Sequence, residues 1–327
     1  MMKGFVHEDE KLLIREMSVP VPKGTEVVVS LKTAGLNRRD LYIPNRRKGK
    51  KEPLILGSDG AGIVEQVGDE VDHFQPGDEV IINPALRWEA NSDAPPQGFD
   101  ILGMPDHGTF AEKIAIDAAQ LEDKPQHLSW EEAGVLALSG LTGYRALVTK
   151  GQIKKGETIF ITGAGSGVST FIISFAKNMG AKVIVTSRSE KKLQQAKALG
   201  ADITLSNDVN WTEALADETV DLVIDSVGRA TFQRSLEVLR KGGRMVVFGA
   251  TTEDMIHLNL REFFYGQYQL LGSTMGSREE LRAMLNHIVQ YNVHPIVDST
   301  FSLSNIQKAF DHLEENKQFG KIAINLT

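Results

Sequence analysis

Residues 157–169 read Glu157-Thr-Ile-Phe-Ile-Thr-Gly-Ala-Gly-Ser-Gly-Val-Ser169. The run 158–162 is short, apolar and β-branched, which is typical of a strand buried on both faces. Alternate glycines follow at Gly163, Gly165 and Gly167. A stripe of helical period begins at Val168. Glycines allow a sharp turn and a close backbone approach, and a helix N-terminus presents free N–H groups to an anion. The stretch therefore predicts a strand, turn and helix of the dinucleotide-binding type.

The glycine spacing is not a strict G-x-G-x-x-G, because Ser169 stands where a later glycine is expected. The alternative interpretation is a tight turn in an α/β protein that binds no nucleotide. Further strand patterns lie at 183–186, 220–225, 243–248 and 269–273, and helical patterns lie at 190–199 and around 236–239. Strands separated by helices of this length predict one parallel sheet with right-handed crossovers.

Composition excludes several classes of protein. The 327 residues suffice for two domains, and a net charge of −7 gives no indication of a nucleic acid partner. The absence of cysteine excludes disulfides, thiolate metal ligands and a cysteine nucleophile. Neither a secretory signal nor an apolar run of membrane length is visible, so we expect a soluble, cytoplasmic protein without membrane contact.

The sequence before residue 126 is rich in strand patterns. They lie at 26–32, 62–67 and 79–83. A basic loop at 45–51 is either solvated or attracts an anionic cofactor at the mouth of a cleft. Residues 88–108 are rich in Asp, Pro and Gly, which predicts a long irregular excursion.

Helical patterns dominate the later parts of the chain. They cover 130–148, 277–291 and 306–316. The first is apolar, and we expect breaks in it at Gly140 and Gly143. The chain ends in a strand pattern at 320–325, which we expect to return to the first domain.

Spaced motifs cover nearly the whole chain. They are AGLNRRDLY (34–42), LGSDGAGIVEQVG (56–68), FQPGDEV (74–80), GLTGYRAL (140–147), GAGSGV (163–168) and GKI (320–322). In this order they resemble the medium-chain dehydrogenase/reductase superfamily, in its zinc-independent quinone oxidoreductase-like branch. The resemblance implies an α/β fold, with a GroES-like β domain plus a Rossmann doubly wound parallel-sheet domain. We expect the GroES-like catalytic domain at 1–125, completed by about 297–327, and the Rossmann domain at 126–296.

The resemblance also marks where zinc-containing members hold their catalytic metal. This chain has Asn37, Ser58 and Leu138 at those positions, and none is a good zinc ligand. The excursion 88–108, in place of the four-cysteine lobe, has no cysteine. We therefore predict no metal site. A structural pairing of Asp59 with a nearby cation is left open, without a catalytic role.

Without a metal, the acceptor oxygen needs another donor as negative charge develops. The resemblance implies that Asn37 and Tyr42 line the nicotinamide pocket, where an amide N–H and a phenol can donate. The alternatives are a turn-stabilising amide and a core aromatic. The resulting hypothesis is an NADPH-dependent reductase of a small-molecule acceptor, either a quinone or an α,β-unsaturated carbonyl. A nicotinamide-binding sensor or structural protein without turnover is the alternative from another class.

The resemblance and the strand ends assign further residues to the cofactor. They are Thr142, Gly163, Gly165, Ser166, Gly167, Val168, Ser226, Val227, Phe248, Gly249, Ala250, Met275 and Lys321. Helix packing is the alternative for Thr142, and a surface charge is the alternative for Lys321. The segment 272–275 also matches a region near the family's dimer contact, and by resemblance we expect a homodimer.

The end of the second strand predicts NADPH rather than NADH. NAD-specific proteins place an acidic residue there to bind the ribose hydroxyls. This chain has Ser187 and then Arg188, with Lys192 one helical turn later. A hydroxyl and two cations favour a 2′-phosphate, whereas a carboxylate would repel it. The alternative is that both cations are simply solvated.

Overall fold

Eighteen strands and ten α-helices form the computed structural model, which describes residues 1–327. The strands are β1 Met2–Glu8, β2 Lys11–Met17, β3 Glu26–Leu36, β4 Leu54–Ile55, β5 Asp59–Val67, β6 Glu79–Ile82, β7 Ala85–Leu86, β8 Asp100–Ile101, β9 Lys113–Asp117, β10 Leu121–Asp123, β11 Thr158–Ile161, β12 Lys182–Ser187, β13 Ile203–Ser206, β14 Val220–Asp225, β15 Leu239–Val247, β16 Gln269–Gly272, β17 Val297–Ser302 and β18 Lys321–Asn325.

The α-helices are α1 Ile43–Arg46, α2 Trp130–Gly134, α3 Ala137–Tyr144, α4 Gly167–Asn178, α5 Glu190–Leu199, α6 Trp211–Ala214, α7 Arg229–Val238, α8 Leu260–Gly266, α9 Arg278–Gln290 and α10 Ile306–Glu314. Three 3-10 helices, Arg38–Leu41, Ala118–Gln120 and Leu303–Asn305, and one π-helix, Arg145–Lys150, complete the set. None of the helices combines the length and apolar character needed to cross a bilayer.

The chain divides into two units, one formed by 1–141 with 276–327 and the other by 142–275. These limits differ from the predicted ones, because 126–141 and 276–296 belong to the first unit. The reason for the first difference is packing, since α2 lies against β3 and β5. The reason for the second is that Arg278, at the start of α9, pairs with Glu122 of β10.

The first unit is built on a sheet with the order β10-β6-β5-β3-β18-β17, to which β9 adds by pairing with β3. The last strand, β18, runs antiparallel to β3 and places Ile322 opposite Leu36. The predicted return of the C-terminal strand is therefore confirmed. Val27, Val29 and Leu31 of β3 belong to a core that also includes residues of α10.

The second unit contains a parallel sheet with the order β13-β12-β11-β14-β15-β16. The chain moves outward from β11 to β13, then returns to β14 and moves outward on the other side. This order places a topological switch point between β11 and β14, and ligands of such sheets bind at the carboxyl ends of the strands there. The architecture is the doubly wound one that the sequence predicts.

The apolar segment after Ser129 is broken elsewhere than predicted. The helix is interrupted at 135–136, and α3 then continues through both Gly140 and Gly143. A Cβ atom at Gly140 would lie 2.8 Å from Met284 Sδ, and one at Gly143 would lie 3.1 Å from Ile172 Cγ1. The glycines therefore permit close packing and do not end the helix.

The excursion 88–108 is irregular, as predicted, apart from β8, which pairs with β7. Main-chain hydrogen bonds fix its first residues against the N-terminus of α9. Arg278 N donates to Trp88 O at 2.7 Å, and Glu279 N donates to Glu89 O at 3.0 Å. This contact holds the excursion with free N–H groups of a helix end.

Candidate active site

The glycine turn after β11 is fixed at several points. Gly163 has φ +79°, and its N–H and that of Ala164 donate to Thr186 O at 3.1 and 2.8 Å. Ser166 caps α4, where its Oγ accepts from Ser169 N at 3.0 Å. Ser169 Oγ in turn donates to Gly163 O at 2.6 Å. The serine that replaces the expected glycine thus ties the helix end to the turn.

The same turn lies beside a cation. A Cβ atom at Gly165 would lie 2.5 Å from Lys192 Cδ and 3.1 Å from its Nζ, so a larger residue would displace the end of this lysine side chain. Backbone N–H groups at the start of α4, together with an ammonium group, suit the pyrophosphate of a dinucleotide. The residues present therefore fit a nicotinamide cofactor at this turn.

Asp225, at the end of β14, is a functional candidate that the sequence reasoning did not identify. Its side chain is fully buried. One carboxylate oxygen accepts from Val227 N at 2.8 Å and Gly228 N at 3.0 Å, and the other accepts from Thr231 Oγ1 at 2.7 Å and Ser235 Oγ at 3.0 Å. Asp225 therefore holds the turn that contains the predicted cofactor residues Ser226 and Val227. In the sequence, this role is indicated by an aspartate that ends an apolar strand and precedes Ser-Val-Gly.

The predicted cofactor turns of the second unit are adjacent. Thr252 N donates to Val227 O at 2.9 Å, and Thr251 N donates to Ser226 O at 3.3 Å, which joins 226–228 to the segment after 248–250. Val227 Cγ2 would be 3.6 Å from a Cβ atom at Gly163. The structure thus brings three predicted turns together at the carboxyl ends of the central strands.

The end of β12 carries the residues on which the cofactor prediction rests. Ser187 is buried, and its Oγ accepts from Ser189 N at 3.1 Å, whereas Arg188 is exposed. Glu190 begins α5, as the sequence predicts. The end of β12 therefore has an exposed guanidinium, that of Arg188, and has no carboxylate.

Two more predicted cofactor residues are the first and last of the second unit. Thr142 is 8% exposed and Met275 is 2% exposed. Each side chain is therefore enclosed by protein, and a cofactor role for either remains a prediction.

A buried polar cluster lies in the first unit around Lys321. The Lys321 ammonium donates to Asn37 Oδ1, and it also donates to Asp59 Oδ2 at 3.1 Å, Ser139 Oγ at 3.2 Å and Leu36 O at 3.2 Å. The three N–H groups of lysine are thus used by four internal acceptors. The surface alternative for Lys321 is wrong, because the side chain is 3% exposed, and its predicted place near the cofactor remains a prediction. Asp59 does pair with a cation.

The hydrogen-bonding groups of Asn37 also have partners within the protein. Its amide nitrogen donates to Asp59 Oδ2 at 2.9 Å and to Gly35 O at 3.2 Å, which uses both amide hydrogens. Its main-chain N–H donates to Asp40 Oδ2 at 2.8 Å. These hydrogen bonds favour the alternative interpretation, in which the amide fixes the turn that leads to Tyr42. Donation from Asn37 to an acceptor oxygen remains a prediction.

Tyr42 remains available as a donor. It follows the 3-10 helix Arg38–Leu41 and precedes α1, and its side chain is 45% exposed with no hydrogen bond to the chain. The core-aromatic alternative does not fit this exposure.

Nearby Asp40 is fully buried, and burial raises the pKa of its carboxyl group to about 6.

The three positions that match zinc ligands in relatives do not form a metal site. Ser58 Oγ donates to Leu102 O at 2.7 Å and accepts from Arg39 at 2.6 Å. Leu138 has an aliphatic side chain, and its main-chain N–H donates to Asp59 at 2.6 Å. No three His, Cys, Asp or Glu side chains of the chain are grouped to hold a metal ion. The half-buried Arg39 guanidinium bonds to Ser58, and the buried Lys321 ammonium bonds to Asn37. Two of the three positions therefore already contact protein cations, and the residues present do not fit zinc.

Comparison with known proteins decides the family. Residues 23–126 match the family model of the alcohol dehydrogenase GroES-like domain, and 167–290 match that of zinc-binding dehydrogenases. A zinc-type alcohol dehydrogenase-like protein of Schizosaccharomyces pombe is 32% identical, over 99% of this chain and 99% of its own. The chain belongs to the medium-chain dehydrogenase/reductase superfamily. It is an NAD(P)H-dependent oxidoreductase of the alcohol dehydrogenase class, which favours the enzyme over the sensor alternative.

Two further relatives bear on the fold and the reaction. A solved NAD-dependent alcohol dehydrogenase is 35% identical and covers 100% of both chains with a TM-score of 0.94. An acryloyl-coenzyme A reductase from Sulfurisphaera tokodaii is 30% identical over 95% of each chain. These similarities confirm the predicted fold class of a GroES-like domain with a Rossmann domain.

Proposed function

We propose that this medium-chain oxidoreductase transfers hydride from NADPH to a quinone or an α,β-unsaturated carbonyl without a metal ion. The observation that carries the proposal is the buried Lys321–Asp59 ion pair, whose two members both contact Asn37, one of the positions that match zinc ligands in relatives. A bound metal ion would polarise an unconjugated carbonyl strongly, and no three His, Cys, Asp or Glu side chains are grouped here to hold one. A conjugated acceptor spreads the developing charge over an enolate or phenolate, and one hydrogen-bond donor stabilises it.

The chain's own residues would position the reactants. A bound nicotinamide cofactor supplies the hydride. The glycine turn and Lys192 bind its pyrophosphate, and Asp225 keeps the adjoining turn 226–228 in shape. The Tyr42 hydroxyl donates a hydrogen bond to the acceptor oxygen as charge develops. Asn37 acts indirectly, because its bonds to Asp59 and Lys321 fix the backbone that leads to Tyr42.

The choice of NADPH rests on the end of β12. A 2′-phosphate requires cations and the absence of a carboxylate, and Arg188 is exposed beside the buried Ser187. Lys192 has its ammonium at the glycine turn, where it suits the pyrophosphate that both cofactors share, so the choice depends on Arg188. The similar solved structure is an NAD-dependent enzyme, so measurement of both cofactors is part of the test.

Oxidation of simple alcohols with NAD is the second candidate, favoured by the 35% identity to the NAD-dependent alcohol dehydrogenase. The acryloyl-coenzyme A reductase favours the first, because an acryloyl group is a conjugated carbonyl. A panel of enones, enals, quinones, saturated aldehydes and alcohols separates the candidates when each is assayed with NADPH/NADP and NADH/NAD. We expect turnover with conjugated acceptors and NADPH. Turnover confined to alcohols and saturated aldehydes would support the second candidate.

We also propose a homodimer formed through the second unit. The strand β16 is an edge of the parallel sheet, and its Leu270 is 40% exposed. The preceding helix α8 exposes Leu260, Phe264 and Tyr265 at 69, 52 and 67%. An unpaired edge beside large exposed apolar side chains is suited to a second copy of the same surface. Light scattering should give a dimer mass for the parent and a monomer mass for Leu270→Lys/Phe264→Glu.

A further inference from the structure

A group of exposed cations follows Tyr42 in the chain. The basic surface, as we name it, consists of Arg46, Lys48, Lys50 and Lys51. All four side chains are exposed, and none forms a hydrogen bond or an ion pair with the chain. The segment 45–51 contains five Lys or Arg residues and no acid, although the whole chain has a net charge of −7. The loop is therefore locally positive, whereas the rest of the protein is net negative.

The loop that carries the basic surface is held in place by its remaining residues. Arg47 is the fifth cation, and it donates to Glu52 O at 2.5 Å and to His7 Nδ1 at 3.4 Å. Gly49 has φ +83°, and its N–H donates to the Glu10 carboxylate at 2.5 Å. These contacts fix the main chain while they leave the other four cations free. An ordered loop loses less entropy than a mobile one when it binds a ligand.

The surrounding charges do not cancel this surface. Glu10 accepts from Gly49 N–H, Glu52 follows the loop in the chain, and Asp106 lies close to His107, so the five cations of the loop outnumber the acids near it. His7 and His107 lie close to Arg47, and burial followed by the Arg47 charge lowers the pKa of each. Both histidines therefore stay neutral near pH 7, and the excess positive charge resides on the exposed lysines and arginines.

We propose that the basic surface binds phosphate groups of the acceptor, so that the acceptor is an α,β-unsaturated carbonyl joined to a phosphate-bearing tail. This inference rests on the proposed function, because it takes Tyr42 as the donor to the carbonyl. Arg46 ends the helical turn α1 that starts beside Tyr42, which places its backbone about 6 Å along the helix from the backbone of Tyr42. The lysines follow within five residues. A carbonyl at Tyr42 thus has its tail in reach of the cations.

The basic surface suits a small anion better than an extended polyanion. Four free cations on one short loop match a few phosphate groups, whereas the acidic chain as a whole would repel an extended polyanion. The cofactor's own phosphates have cations of their own in the second unit, at Arg188 and Lys192. A conjugated thioester supplies the required chemistry in two forms, with a coenzyme A tail or with the shorter phosphopantetheine tail.

The test compares three substrates that share one reacting group. Crotonyl-pantetheine has no phosphate, crotonyl-phosphopantetheine adds one, and crotonyl-coenzyme A further adds an adenosine with its phosphates. We expect kcat/KM at low ionic strength to be about tenfold higher for a phosphorylated ester than for crotonyl-pantetheine, and the advantage to fall as salt is added. A preference for crotonyl-coenzyme A over crotonyl-phosphopantetheine assigns the tail to coenzyme A, and equal use assigns it to the shared phosphopantetheine.

The variant Lys48→Gln/Lys50→Gln/Lys51→Gln should remove most of that advantage and leave kcat/KM for crotonyl-pantetheine and KM for NADPH unchanged. Its matched control is Lys23→Gln/Lys241→Gln/Lys308→Gln, which removes the same charge from exposed lysines elsewhere and should keep the advantage. An equal loss in both variants, or a rise in KM for NADPH in the first alone, overturns the assignment to the acceptor.

Calorimetric titration with coenzyme A gives a readout that does not depend on turnover. We expect the parent to bind coenzyme A, and the Lys48/Lys50/Lys51 variant to bind it about tenfold more weakly. Absence of binding to the parent overturns the inference, even if uncharged enones are reduced. Binding of coenzyme A without reduction of any conjugated acceptor instead contradicts the proposed function and leaves an anion site.

Discussion

The Lys321 ammonium lies 3.1 Å from the Asp59 carboxylate, and both side chains are buried, 3% and 0% exposed. The pair joins the C-terminal strand to the start of β5, and both of its members form hydrogen bonds with the Asn37 side chain. A buried charge without its partner destabilises the folded state, so each charged member of the cluster needs the other. The cluster also places a protein cation in contact with Asn37, which matches a zinc-ligand position in relatives.

Lys321→Met should destabilise the protein, because it leaves the Asp59 carboxylate buried without its cation. Loss of one partner of a buried pair costs roughly 3–5 kcal/mol. Denaturant unfolding measures the change. Lys317→Met is the matched control, since Lys317 pairs with Glu315 on the surface at 69% exposure and should cost less than about 1 kcal/mol. Equal effects of the two substitutions would show that the cluster is not a tightly coupled buried pair.

Tyr42→Phe should lower kcat with conjugated acceptors and leave the Kd of NADPH unchanged. Removing a donor to a developing oxyanion costs roughly 2.7–4 kcal/mol in a dry site and less in a solvated one, so we expect a loss of about tenfold. Tyr291→Phe is the control, because Tyr291 is also 45% exposed and lies in the same unit. An unaltered kcat in Tyr42→Phe would remove Tyr42 from the mechanism.

Arg188→Ala should reduce the preference for NADPH over NADH. A hydrogen bond to a charged group contributes about 1.5–3 kcal/mol, and solvent exposure of Arg188 reduces this to a change of about tenfold in the ratio of kcat/KM values. Lys241→Ala removes an exposed charge elsewhere and should leave the ratio unchanged. A parent enzyme that uses NADH as well as NADPH would contradict the interpretation of the β12 end.

Asp40 should make stability depend on pH. Burial raises the pKa of its carboxyl group from 3.8 to about 6, so the folded state retains a proton that the unfolded state has lost in this range. The free energy of unfolding should therefore fall as pH rises from 3.8 towards 6, by about 3 kcal/mol for the shift of roughly two units. Asp40→Asn should flatten this slope in unfolding curves measured at several pH values. A slope that is the same in the parent and Asp40→Asn would contradict the assignment.

Local patterns in the sequence predict much of the fold. The strand 220–225 and the helix 190–199 are predicted to the residue, because apolar runs and capping residues lie close together in the chain. The glycine turn is recognisable for the same reason. The break predicted at Gly140 is wrong, because that glycine serves a contact with Met284, which is distant in sequence.

The candidate site is less predictable. Lys321 and Asn37 are 284 residues apart, and their contact depends on the pairing of β18 with β3. A lysine that follows Gly320 has the sequence character of a surface charge, and nothing near it shows that its ammonium is enclosed. Likewise, the sequence marks Asn37 as polar at the right place but does not show that Gly35 and Asp59 take both of its amide hydrogens.

The central claim is reduction of a conjugated acceptor without zinc. The most direct measurement is the rate of NADPH oxidation with an enone, made on protein purified without an affinity tag, before and after exhaustive chelation, with zinc content determined on the same samples. We predict substoichiometric zinc and an equal rate in both samples. One zinc per chain, with activity lost on chelation and restored by added zinc, would contradict the account.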